Sequence, residues 1–140
     1  MIEQEYIETG KVRYIFRPFG DFANDRNSRL AAESIYCAGE QAKFWEMGDQ
    51  LFKDQATWTV AKTPRETFVG YAKGLSLDTA KFETCLDGDW AAQRAKGGAL
   101  VGAQFQITAA QIYFFADGTQ LTGSPTFEQV KPVIDGMLGQ

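Results

Sequence analysis

The sequence of 140 residues contains no histidine. The side chain that titrates nearest neutrality and most often ligates transition metals is missing, so acid–base work falls to a tuned carboxylate, lysine or cysteine. Triads that use histidine are excluded. Cysteine is almost as scarce: Cys37 and Cys85 lie far apart, without the CxxC spacing of zinc ribbons or of dithiol redox sites. No metal site and no cofactor is expected. Basic residues are outnumbered, 14 Lys and Arg against 18 Asp and Glu, and a net charge of −4 offers no electrostatic footprint for nucleic acid or an anionic membrane. No apolar run approaches the ~18 to 20 residues of a spanning helix. The opening Met1-Ile2-Glu3-Gln4-Glu5-Tyr6 is polar and acidic where a signal peptide is basic and then apolar. On these residues the chain is expected to be cytoplasmic, without membrane or nucleic-acid partners.

What is present is the composition of one globular domain: 44% apolar, 14% aromatic and 23% charged residues. A chain of this size buries roughly two thirds of its unfolded surface without metals or a dense disulfide framework. Ile2, Tyr6 and Ile7 recur at helical spacing ahead of Gly10, a left-handed cap. Lys11 to Arg17 is rich in β-branched and aromatic residues and predicts a strand ended by Pro18 and Gly20. Helical periodicity then runs from Phe22 to about Gly102, through Ala31, Ala32, Ile35 and Tyr36, then Phe44, Trp45, Met47, Leu51 and Phe52. Thr63-Pro64-Arg65-Glu66 reads as a capping box, and further helices are expected over 76–86 and 90–103, the last weakened at Gly97-Gly98 by about 1 kcal/mol per glycine. Ile112 to Phe115, Asp117-Gly118 and Thr119 to Thr122 predict a hairpin at about 111–122. Phe127, Val130, Val133, Ile134, Met137 and Leu138 form the stripe of a closing amphipathic helix.

The aromatic positions Phe44 to Phe52 and Tyr113 to Phe115 read as core, and Asp21, Asp25 and Glu33 as helix-entrance carboxylates without metal-ligand spacing. Phe19 and Phe22, on the loop from Pro18 to Asn27, are open to two readings: a contact surface, or packing against the helical block. Helix, strand, helical block, hairpin and helix together fit an α/β sandwich with a helical insertion.

Four segments carry a family resemblance: Glu5 to Arg17; Cys37 to Met47 with Leu51-Phe52 and Gln55; Leu75 to Asp78 with Lys81-Phe82 and Cys85-Leu86; and Asp117-Gly118 with Gly123, Phe127 and Val133 to Asp135. Over most of its length the chain resembles a DsbA-type thioredoxin-fold protein, a family of thiol–disulfide oxidoreductases. The resemblance implies an α/β thioredoxin-like fold over residues 1–140, with the helical insertion at about 23–103 and the hairpin and final helix at about 104–139. It also implies that the first core strand and the start of the active-site helix are missing. The family's first strand leads into a CxxC whose first thiolate is activated at a helix N-terminus; these residues hold no counterpart, so no catalytic residue is assigned. Where the family has a cis-proline loop, this chain reads Ala109-Ala110-Gln111. A non-proline cis bond costs roughly 2.5 to 4 kcal/mol, so a trans bond and a different loop shape are expected.

Without its first strand the sheet has open edges. The two remaining pieces close on each other, Gln104 to Thr108 fills the gap, or a second chain supplies a strand; the expectation is a homo-oligomer, with a protein or peptide partner as the other occupant. Some relatives place a structural disulfide where Cys37 and Cys85 stand, and the two cysteines are read as that bond, as two buried free thiols, or as a redox-active pair. Three functions follow: a redox-inactive binding or assembly module; an oxidoreductase whose CxxC strand comes from an upstream segment or another chain; and a small-ligand pocket, for which no polar constellation speaks. The opening methionine and the end after the closing helix favour the first, as in a complete short gene product. If the chain follows the family, its compartment is extracytoplasmic.

Overall fold

The structure, a computed structural model, describes residues 1–107 and 111–139. Where the length suggests one domain, the chain divides into two compact units, one of residues 18–105 and one combining residues 1–17 with those from 106 onward.

The first unit is all helix. Helix α1 (Arg26–Gly39) begins at Asp25, whose carboxylate accepts from the Ser28 amide at 3.0 Å. Ala31, Ala32, Ser34 and Ala38 keep its surface small, and helices α2 (Phe44–Lys53), α4 (Pro64–Gly74), α5 (Thr79–Asp87) and α6 (Asp89–Gln104) all pack against it. The short α3 (Gln55–Trp58) buries Trp58, whose indole donates to the Leu51 carbonyl at 2.7 Å and meets Phe68 edge-on at 5.8 Å. Phe68, Phe82 and Met47 are the largest fully buried side chains.

Three local expectations are corrected here. Thr63 precedes α4 with backbone torsions of −123° and 64° and makes no capping bond, so the capping box is not formed. Ser76 has a φ of 60°, which delays the next helix until Asp78 caps it by accepting from the Lys81 amide at 3.1 Å. The apolar stripe of α2 is wider than its buried face: Met47 and Leu51, one turn apart, are inside, while Trp45 and Phe52 are 49% and 54% exposed.

The second unit opens with one π-helical turn, Glu3–Ile7, that buries Tyr6 and ends near Gly10 in the left-handed region. Strands β1 (Ile112–Phe114) and β2 (Gln120–Thr122) pair antiparallel with Tyr113 opposite Leu121. Gly118 supplies the positive φ of the turn, and the Asp117 carboxylate accepts from the Thr119 amide at 2.9 Å. Helix α7 (Phe127–Leu138) starts at a reciprocal capping box between Thr126 and Gln129. Tyr6, Val130 and Ile134 form the core, with Val12, Phe115, Leu121 and Phe127 packed against it.

The expected strand at 11–17 is not in a ladder: among the described residues the sheet has two strands. β-rich side chains favour a pleated neighbour but do not create one. Residues 104–107 do not fill the gap either, since Gln104 ends α6 and a turn follows; Thr108 lies outside the described residues. Phe114 is 50% exposed, so the run from Tyr113 to Phe115 is half-buried, as suits a strand paired along one side.

The glycines of α6 differ in kind. A Cβ at Gly98 would lie 2.7 Å from the Pro18 carbonyl oxygen, whereas one at Gly97 would meet nothing within 4 Å. Gly97→Ala is therefore expected to stabilise the unit by up to about 1 kcal/mol through helix propensity alone, and Gly98→Ala to destabilise it despite the same gain. Urea unfolding of the two variants checks the opposite signs.

Candidate functional site

Cys37 on α1 and Cys85 on α5 are joined in a disulfide, S–S 2.00 Å and Cα–Cα 5.7 Å. Cys37 is 1% exposed and Cys85 half-buried, so the sulfurs sit where two helices meet rather than at an electropositive surface. The bond closes a separation of 48 residues. Chain entropy values such a loop at roughly 4 kcal/mol. Beside it, Gln41 locks onto the start of α5, donating to the Asp78 carbonyl at 3.1 Å and accepting from the Asp78 amide at 2.9 Å.

Of the loop at Ala109, Ala110 and Gln111, the two alanines lie outside the described residues. Gln111 has a φ of 64°, its carbonyl accepts from the Gly123 amide at 2.8 Å, and its side-chain oxygen accepts from the Ser124 hydroxyl at 2.8 Å. These bonds close the open end of the hairpin. The two loop aromatics part company. Phe22 is buried with Ala32 and Ala95 and belongs to the core, while Phe19 is 41% exposed with its ring lying over Gly102. Phe22 therefore contributes no contact surface.

The sequence reading passed over a cluster in the second unit. The Tyr6 hydroxyl donates to Asp135 at 2.6 Å and accepts from the Lys131 ammonium at 3.0 Å, and Lys131 pairs with Asp135 at 2.7 Å. Lys131 and Asp135 stand one turn apart on α7, a spacing visible in the sequence; their third member is 125 positions away from Lys131. Hydrogen bonds from Lys131 and then Tyr6 hold the Asp135 carboxyl below its ordinary range. Bonds to Asp135 and then Tyr6 hold Lys131 above the ordinary ammonium range, and the bond to Asp135 is the main cause that raises Tyr6. The phenol is bound from both sides, which ties the first turn to α7. On α1, burial pushes the Glu33 carboxyl up, partly offset by Arg29 at 3.6 Å. Among the described residues no group of His, Cys, Asp and Glu could hold a metal, and no helix is long and apolar enough to cross a membrane.

A family model described as "Thioredoxin" matches residues 1–136. A Rickettsia conorii protein named "putative protein-disulfide oxidoreductase" is 24% identical over 143 aligned residues, covering 98% of this chain and 48% of its own length. A Rickettsia bellii protein of the same name is 29% identical over 90 residues, 63% of this chain and 33% of its own. The Na(+)/H(+) antiporter NhaA 1 of Salinispora arenicola is 29% identical over 124 residues, 88% of this chain and 18% of its own. The chain thus spans less than half the length of each of these relatives. No solved structure matches it.

Two measurements test the roles of these groups. Replacing Cys37 and Cys85 together by alanine is expected to cost about 2 to 5 kcal/mol in urea unfolding. Reductant should lower the midpoint of the parent chain and leave that of the double variant unchanged. For Asp135 the lowered carboxyl pKa means stability present above about pH 4 and lost as pH falls toward the folded value. Asp135→Asn should therefore melt below the parent at pH 7, with the gap narrowing as thermal scans are moved below about pH 4. The raised pKa of Lys131 acts in the other direction, with stability lost only as pH rises beyond the ordinary lysine value.

Proposed function

The chain belongs to the DsbA-like thioredoxin-fold family, and from that premise we propose that these 140 residues do not carry out thiol–disulfide exchange by themselves but serve as a binding or assembly module. The observation that carries this reading is the fate of the cysteines. Exchange needs an accessible, activated thiolate and a partner thiol close by. Here the two cysteines are consumed in one bond between α1 and α5, and no other thiol stands in these residues to attack. What the fold offers instead is backbone hydrogen-bonding capacity along a small sheet. A cystine persists in oxidising surroundings, which supports an extracytoplasmic setting in keeping with the family.

A second reading has its own support. The disulfide oxidoreductases that the chain resembles are about twice its length. In that reading the chain is the helical and hairpin part of an oxidoreductase whose CxxC strand lies in another stretch of polypeptide. Reduction of insulin by dithiothreitol separates the readings. The 140-residue chain is expected to leave turbidity rising at the uncatalysed rate. An acceleration that is lost in the Cys37→Ala, Cys85→Ala double variant would overturn the first reading. The second predicts activity only when a CxxC-bearing segment is joined to the chain.

A further inference from the structure

Among the described residues β2 has β1 on one side and no strand on the other. The ladder fixes which groups lie on that open side. The Phe115 amide donates to the Thr119 carbonyl and the Gly123 amide to the Gln111 carbonyl, so Thr119, Leu121 and Gly123 turn their backbone groups toward β1. Gln120 and Thr122 aim theirs the other way, and among the described residues no hydrogen bond takes those N–H and C=O groups up. Both side chains are exposed, on the face opposite Leu121, which packs on the core. Edge strands are ordinarily blunted by charge, by a bulge or by a covering element. Charge is missing here: residues 118–127 contain no Asp, Glu, Lys or Arg, on a chain in which 23% of residues are charged.

We propose that two copies of this chain pair through this edge, β2 against β2, antiparallel about Leu121. The proposal rests on the assembly-module reading and names the partner as a second copy. In this register Gln120 stands opposite the partner's Thr122 and Thr122 opposite the partner's Gln120, so the outward groups of both strands exchange main-chain hydrogen bonds. The two-fold axis makes the surface complementary to itself. Amide and hydroxyl side chains both donate and accept, which suits them to face each other across the ladder. A net charge of −4 opposes association in general, but the ionisable side chains nearest in sequence, Asp117 and Glu128, lie beyond the paired residues. A foreign strand is the poorer occupant, because an edge without charge selects no partner by charge. The seam is short, so the dimer is weak and depends on concentration.

The test is sedimentation equilibrium of the whole 140-residue chain. Between about 10 μM and about 1 mM protein, the average mass is expected to rise from that of the monomer toward twice that value. Gln120→Lys, Thr122→Lys sets lysine opposite lysine at both ends and should weaken association at least about tenfold, although it brings the net charge nearer zero. Gln120→Lys, Thr122→Glu leaves the net charge unchanged, sets lysine opposite the partner's glutamate at both ends, and should associate at least as tightly as the parent. Both variants alter exposed side chains, and circular dichroism with the urea midpoint checks that each keeps the parent's fold. A parent chain that stays at 15.6 kDa up to about 1 mM overturns the proposal. So does a dimer that persists in the lysine–lysine variant, or one that the lysine–glutamate variant fails to restore. None of these failures touches the redox-inactive reading, which the insulin assay decides from the cysteines alone.

Discussion

Close packing around α1 is the constraint on which the helical unit depends. An ordinary amphipathic helix buries one stripe and keeps the rest in water. α1 is met by α2, α4, α5 and α6, and that arrangement needs backbones that approach closely. Ala31, Ala32, Ser34 and Ala38 supply the room on α1, and Ala91 and Ala95 are buried on α6, whose Gly98 and Gly102 admit the Pro18 carbonyl and the Phe19 ring. The polar members are accommodated locally: the Ser34 hydroxyl donates to the Leu30 carbonyl at 2.8 Å, and Glu33 keeps Arg29 beside it. The cystine then joins this central helix to α5 at a point where the two are already in contact, so it confines the unfolded chain more than it shapes the folded one.

The second unit solves a different problem with fewer residues. Two strands of three residues each cannot stand alone in water. They are held because Leu121 and Phe115 pack on a core that α7 and the first turn create together. That core joins the two ends of the chain, and the bond between Tyr6 and Asp135, 129 positions apart, closes it with a hydrogen bond between charged and neutral partners. A buried tyrosine needs a partner for its hydroxyl, and Asp135 with Lys131 meets that need while balancing charge.

This division explains which features were legible in the sequence. Elements with a purely local cause were readable: the Asp117-Gly118 hairpin, the 3/4 stripe of α7, the left-handed glycine at 10. Features whose cause is a neighbour were not. The segment 11–17 has strand composition and no ladder, because a strand is a relation between two segments. Trp45 and Phe52 continue the apolar stripe of α2 past the edge that α1 covers. The pairing of Lys131 with Asp135 follows from their spacing, but the arrival of Tyr6 follows only from the fold. The disulfide is intermediate: the sequence limits the two cysteines to one intrachain bond, and helix packing decides that their Cα atoms stand 5.7 Å apart.

The same distinction bears on function. Redox chemistry in a thioredoxin-like fold depends on one local arrangement, a thiolate at a helix start with a second thiol three residues further on. Strand addition depends on no such motif. It needs an edge whose amides and carbonyls are unspent and side chains that choose among passing strands. Among the described residues the two-stranded sheet leaves an outer edge on each of β1 and β2. Charge on an edge strand is the ordinary protection against edge-to-edge aggregation.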